Sequence, residues 1–154
     1  MSSADVKPHS LNLNKTVLLA MAISAFYGFC YLLLSAWSTH NNLPSNIAQK
    51  SLEIALNTQI IHALAILCLG GLVLTPVFQK IAKPLVLVQY CWILGVFLFS
   101  GMIYLKHLVG VSSIGLLTPL GGLLLIMGWL SLGGVFVFLF CKLKFYSTTE
   151  GQNK

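Results

Sequence analysis

Charge is what this sequence has least of. Its 154 residues hold nine lysines, no arginine and three acidic residues (Asp5, Glu53 and Glu150), so charged side chains make up 8 % of the chain. An ordinary soluble domain carries about 25 %. The charges that exist are confined to short segments, and between them lie four apolar runs, Thr16–Ser38, Ile54–Phe78, Leu85–Leu105 and Thr118–Phe140, without a Lys, Asp or Glu. A bilayer core of ~30 Å is crossed by about 20 apolar residues in helical form, and each run is long enough. Hydrocarbon offers the backbone no partners, so the economical arrangement is four closed helices. The sequence predicts an all-α polytopic integral membrane protein, a four-transmembrane-helix bundle. It is expected to comprise a polar N-terminal tail over 1–14, the helical domain over 15–145 and a polar C-terminal tail over 146–154. The first run exceeds the length of a signal-peptide core and no convincing cleavage site follows it, so it reads as a retained helix.

The cysteines are few and dispersed. Cys30, Cys68, Cys91 and Cys141 form no CxxC pair and no cluster with zinc spacing, and they read as small buried apolar residues. The spacing of the histidines does not match a ligand motif either, so no metal and no cofactor are expected. Lysine placement is asymmetric. Lys7, Lys15, Lys80, Lys83, Lys142, Lys144 and Lys154 fall on one side of the predicted membrane, and Lys50 and Lys106 on the other. Lysine-rich short segments stay in the cytoplasm, which places both termini inside a cell (inner) membrane. The net charge of +6 is thereby a topology signal and an attraction to anionic lipid. The basic residues sit scattered at helix ends without aromatic interleaving, which argues against nucleic acid as a partner. The expected partners are membrane lipids, with other membrane proteins or a second copy of the chain left open.

Local signals mark the helix ends. Pro84 suits the first turn of the third helix, where a missing N–H costs nothing. Thr118 is expected to cap the fourth, with Pro119 at its first position. Asn46 and Gln49 stand at capping-box spacing, which starts the second helix before its apolar run, and Thr75–Pro76 ends or kinks it. The apolar stretch Lys106–Leu117, broken by Gly110 and Gly115, is too short to span and is expected in the interface or folded against the bundle. Small residues forecast helix contacts: Ala20, Ser24 and Gly28 at four-residue spacing on the first helix, and Gly121, Gly128 and Ser131 on the fourth.

Polar residues inside the membrane are where chemistry should be sought, because they are costly there. At about 100° per residue, Ala55, Gln59, His62 and Ile66 share one stripe of the second helix. The predicted topology brings His40, Ser100, Tyr104 and Thr118 to a similar level. Every helix thus supplies a polar group to one region beneath the non-cytoplasmic surface, with Asn57 near by but facing away. The first reading of this set is a hydrogen-bonded cluster that fixes helix packing; a proton-relay or small-solute site comes second. A metal or haem site at His40, His62 and His107 comes last, and His107 reads more simply as an interfacial side chain beside Lys106. His9 belongs to the polar tail.

At these residues the chain resembles the small four-helix membrane proteins typified by the bacterial YgdD and YwdK proteins, related to the animal transmembrane protein 256. Four blocks carry the resemblance. Ser35-Ala36-Trp37-Ser38-Thr39-His40 stands where the family has a Gly-Ala-Phe-Gly-Ala-His-like turn. Gln59-Ile60-Ile61-His62 resembles its Gln-x-x-His signature, and Phe99-Ser100-Gly101-Met102-Ile103-Tyr104 its Phe-Ser-Gly-Ser-x-Tyr. Thr118-Pro119, Gly121-Gly122 and Gly128-Trp129 complete the set. Ser35, Ser38, Thr58 and Met102 depart from the pattern. The resemblance implies a compact four-helix membrane protein with no established biochemical activity.

Three functional classes follow. A non-catalytic structural, accessory or assembly protein is favoured by the short loops and by the absence of a catalytic constellation. A small transporter or channel using the outer polar layer is the alternative; no acidic residue in any of the four runs speaks against it. An enzyme is disfavoured, because Ser100, His62 and His40 lack an acidic orienter.

Overall fold

The computed structural model describes residues 8–40, 45–110 and 116–151. The stretch 111–115, with Gly115, and the terminal residues that include Lys7 and Lys154 lie outside them. All regular structure among the described residues is helical: α1 (Pro8–His40), α2 (Asn46–Val73), a 3₁₀ turn (Gln79–Ile81), α3 (Ala82–Tyr104), a π-helical turn (Leu105–Val109) and α4 (Leu117–Gly151). Each of the four long helices is apolar on nearly every face, as helices that meet lipid rather than water on their outer surface must be. The stretches Asn14–His40, Asn46–Val73, Gln79–Val109 and Leu117–Lys142 are long and apolar enough to cross a membrane.

The helix ends differ from the sequence expectations in instructive ways. α1 begins at Pro8, so helix already covers residues 8–14 ahead of the apolar run; proline is at home at the first helical position. α2 is capped by Ser45, not Asn46. Ser45 has extended backbone angles (φ −152°, ψ 153°), and its hydroxyl accepts from the Ala48 N–H at 3.2 Å. An early start for α2 has a further consequence: Glu53 lies inside the second span, although the apolar run begins only at Ile54. α2 stops at Val73, short of the run's end at Phe78, because Pro76 disfavours helical backbone at the residue before it. Thr75 closes the end, its hydroxyl and its N–H both donating to the Leu72 carbonyl (2.7 and 3.0 Å).

Pro84 falls in the first turn of α3, as the sequence predicts. Of the apolar stretch expected at the interface, 106–110 and 116–117 are described and 111–115 lie outside the described residues. Beyond Tyr104 the chain continues α3 as the π turn and stops at Gly110, whose φ of 79° is left-handed backbone that glycine tolerates. α4 starts one residue before Thr118, placing Thr118 and Pro119 together in its first turn. It then runs to Gly151, past the expected end near 140, and no proline or glycine interrupts Val135–Glu150.

α3 lies centrally, packing on α2 and α4 and touching α1, while α1 packs mainly on α2. Trp92 is 1 % exposed at the middle of the core, among Ile66, Leu69, Val88, Val96 and Leu125. α3 and α4 approach most closely at glycines. A Cβ on Gly95 would come 2.5 Å from the Leu125 side chain, one on Gly121 would overlap the Phe99 backbone nitrogen, and one on Gly128 the Trp92 indole. Of the small residues expected at contacts, Ala20, Ser24, Gly121 and Gly128 are buried. Gly28 is only half-buried with nothing within 4 Å of a Cβ, and Ser131 is exposed, so neither makes the contact its spacing suggests. No cysteine is buried. Cys30 and Cys91 are half-buried and Cys68 and Cys141 exposed, an environment that lipid makes as apolar as a core.

Candidate intramembrane polar site

Ala55, Gln59, His62 and Ile66 are all buried, so the stripe on α2 faces the other helices. Gln59 bridges two of them. Its Nε2 donates to the Tyr27 carbonyl of α1 at 2.6 Å, and its Oε1 accepts from the Tyr104 hydroxyl of α3 at 2.7 Å. Ser100, fully buried on α3, donates to the Ala55 carbonyl at 2.8 Å. One turn deeper, His62 bonds through both ring nitrogens. Nδ1 lies 2.8 Å from the Thr58 carbonyl, which can only accept, and so carries the proton. Nε2 then offers its lone pair to the Trp129 indole N–H of α4 at 3.0 Å. This assigns the neutral Nδ1–H tautomer. The imidazole meets the Trp92 and Trp129 rings edge-on, with centroids 5.9 Å away in each case, and the two indoles are 4.7 Å apart.

The structure therefore brings Gln59, Tyr104, Ser100 and His62 into one layer, and leaves two of the expected residues out of its bonding. His40 is exposed at the last turn of α1. Thr118 is half-buried in the first turn of α4 and bonds to no other member. Asn57 is exposed and stands off the stripe, in the lining of a cleft between α1 and α2.

Other residues of the polar framework went unnoticed in the sequence. Tyr27 enters through its backbone carbonyl, which leaves no side-chain signal, and its hydroxyl donates to the Ile93 carbonyl at 2.9 Å. Ser24, noted only as a small residue, donates to the Ala63 carbonyl at 2.5 Å. Tyr90 donates to the Thr16 carbonyl at 3.2 Å. Gln89 is fully buried in α3 and donates to the Ile66 carbonyl at 2.9 Å, while its Oε1 has no partner among the described residues. Being polar within an apolar run, Gln89 could have been found by the criterion that found Gln59.

Chemically, the layer is a set of closed pairs. The Ser100 proton points to a helix carbonyl rather than to a base, both His62 nitrogens are engaged, and among the described residues no carboxylate bonds to either side chain. Among the described residues, no three His, Cys, Asp or Glu side chains gather as metal ligands would.

Residues 34–122 match the family described as "Protein of unknown function (DUF423)", a stretch that holds His40, Gln59, His62, Ser100, Tyr104 and Thr118 but ends before Trp129. Curated relatives include a UPF0382 membrane protein of Haemophilus influenzae, 29 % identical over 114 residues, which are 73 % of this chain and 88 % of the relative. A UPF0382 membrane protein of Staphylococcus haemolyticus is 36 % identical over 83 residues, 52 % of this chain and 62 % of its own length. One of Staphylococcus saprophyticus is 31 % identical over 105 residues, covering 63 % and 78 %. No solved structure matches the chain. A family match over more than half of the sequence, relatives that are membrane proteins and four helices of spanning length agree: the chain belongs to the DUF423 family, membrane proteins of unknown function.

Proposed function

We propose that this chain is a non-catalytic protein of the cell (inner) membrane, structural or accessory in role, whose polar layer holds its own helices together. The observation that carries this reading is the closure of the layer. Gln59, Tyr104, Ser100 and His62 direct their donors and acceptors to neighbouring helices or to their own backbone, which leaves no base to activate a nucleophile. Its partners are then membrane lipids and other membrane proteins or a second copy of the chain, met through the outer faces of α1 and α4. His62→Leu is the direct test. It strands the Trp129 N–H, and the packing reading expects a protein that accumulates poorly and unfolds at lower denaturant. Unchanged stability would overturn it.

Both termini are proposed to be cytoplasmic, from lysine placement. A reporter fused after Lys154 should give a cytoplasmic signal, and an extracytoplasmic one reverses the assignment. Transport remains the second reading, favoured by the position of Glu53 inside the second span; Glu53-dependent uptake into proteoliposomes would be its mark.

A further inference from the structure

Above the closed layer, α1 and α2 part to leave a cleft of about 180 Å³. Tyr31, Ser35 and Ser38 of α1 face Gln49, Glu53 and Asn57 of α2 across it, and the largely buried Leu52 and Leu56 close its floor. These two triplets recur at one-turn spacing, so each is a polar stripe on its helix, and the stripes oppose one another. Their bonding contrasts with that of the layer below. Among the described residues, the side chains of Tyr31, Ser35, Gln49, Glu53 and Asn57 make no hydrogen bond and no ion pair; Ser38 donates to the Ser35 carbonyl at 2.9 Å and keeps its lone pairs. Glu53 is the single carboxylate in the four candidate spans. Lys50, one turn earlier on the same helix, forms no ion pair with it.

We propose that this cleft binds a primary ammonium group, carried by an ethanolamine lipid headgroup or by a free amine, with Glu53 as the counter-charge. The chemistry of the lining selects that class. A primary ammonium has three donors and no acceptor. The Glu53 carboxylate takes one in a charge-assisted bond, and the hydroxyl and amide oxygens of Tyr31, Ser35 and Asn57 are available for the others. A calcium ion asks for six to eight oxygens, usually with several carboxylates, and the cleft has one. An anion would meet Glu53. A cleft of this size falls below the ~300–1,000 Å³ of sites for drug-sized ligands, which suits a headgroup or a small amine. The quaternary ammonium of choline has no N–H to donate, so it should be discriminated against.

The test is native mass spectrometry of the full-length chain, stripped of lipid and titrated with phosphatidylethanolamine, phosphatidylcholine or phosphatidylglycerol of matched acyl chains. The expected result is preferential retention of phosphatidylethanolamine. Glu53→Gln should weaken it about tenfold, in line with loss of a charged hydrogen bond, and leave phosphatidylglycerol retention unchanged. Asn57→Leu, which keeps the charge, should weaken it less. Glu53 and Asn57 are both exposed, so each variant should fold, and circular dichroism verifies it. Ethanolamine titrated into the protein in phosphatidylglycerol nanodiscs separates the sources. Saturable, Glu53-dependent binding assigns a free amine; its absence, with the lipid preference intact, assigns the headgroup. Equal retention of the ethanolamine and choline lipids, or a preference that survives Glu53→Gln, overturns the proposal.

Discussion

α1 is tied to the inner pair by four side-chain hydrogen bonds at three positions: Tyr90 to Thr16, Ser24 to Ala63, Gln59 to Tyr27 and Tyr27 to Ile93. α4 lies instead on α3 through Gly121 and Gly128, and joins the polar framework through Trp129 and His62. Both are outer helices. Only 17 % of the most apolar stretch of α1 and 11 % of that of α4 is buried in the bundle, against 44 % and 39 % for α2 and α3. The contrast shows two solutions to one difficulty. Lipid tails are as apolar as leucine, so no hydrophobic force drives an outer helix onto its neighbours. α1 compensates with directional bonds, each small but cumulative. α4 compensates with close backbone approach, which gains dispersion contact over its crossing but depends on the absence of side chains at two positions.

The contrast can be broken most forcefully at Gly121. Any Cβ there runs into the backbone of α3 rather than into a yielding side chain. Gly121→Leu should destabilise the protein by about 3 kcal/mol or more, beyond usual overpacking because backbone cannot repack. Gly133→Leu, on the same helix with nothing within 4 Å, is the control; a similar loss there would mean that glycine matters to α4 for another reason. Denaturation by sodium dodecyl sulfate from mixed micelles reads both.

A smaller effect is expected from the bonds of α1. Gln59→Leu removes two of them and leaves the Tyr27 carbonyl and the Tyr104 hydroxyl to find other partners. Interhelical hydrogen bonds in membranes contribute roughly 0.6 kcal/mol each, up to about 1.7, so a loss of about 1–3 kcal/mol is anticipated in the same assay. No measurable loss would mean that α1 is held by packing as α4 is. The least effect belongs to Gly28→Ala, within about 0.5 kcal/mol of the parent, because a methyl group there meets nothing. A large loss would place an unsuspected neighbour on that face.

The bundle was legible because four charge-free runs in one chain admit few alternatives, and the pairing of Gln59 with His62 because helical geometry fixes it within a single element. What bonds to them was less legible. Tyr104 and Ser100 could be placed at the right depth from topology alone, but the same reasoning placed His40 and Thr118 there too. Depth says nothing of which way a helix is turned, and a helix apolar on all faces gives no stripe from which to read its rotation. Trp129 illustrates the limit: it was noted as part of a motif, yet nothing in the local sequence identifies its indole as the donor to a histidine 67 residues earlier. The Ser45 cap is hard to read because its neighbour Asn46 has the better pattern spacing with Gln49, and the start of α2 decides that Glu53 falls within the candidate span.

The order of packing follows the order of the chain: α1 on α2, α2 on α3, and α4 on α3 last. Each helix can therefore settle against one already made as it leaves the ribosome, without waiting for a partner still to be synthesised. Up to Tyr104 the growing chain can already close the bonds of Thr16, Ser24 and Tyr27 named above and the Gln59 bridge. Of the bonds in the layer, only the one from Trp129 to His62 needs α4, so it is the last that a chain made from its N-terminus could form.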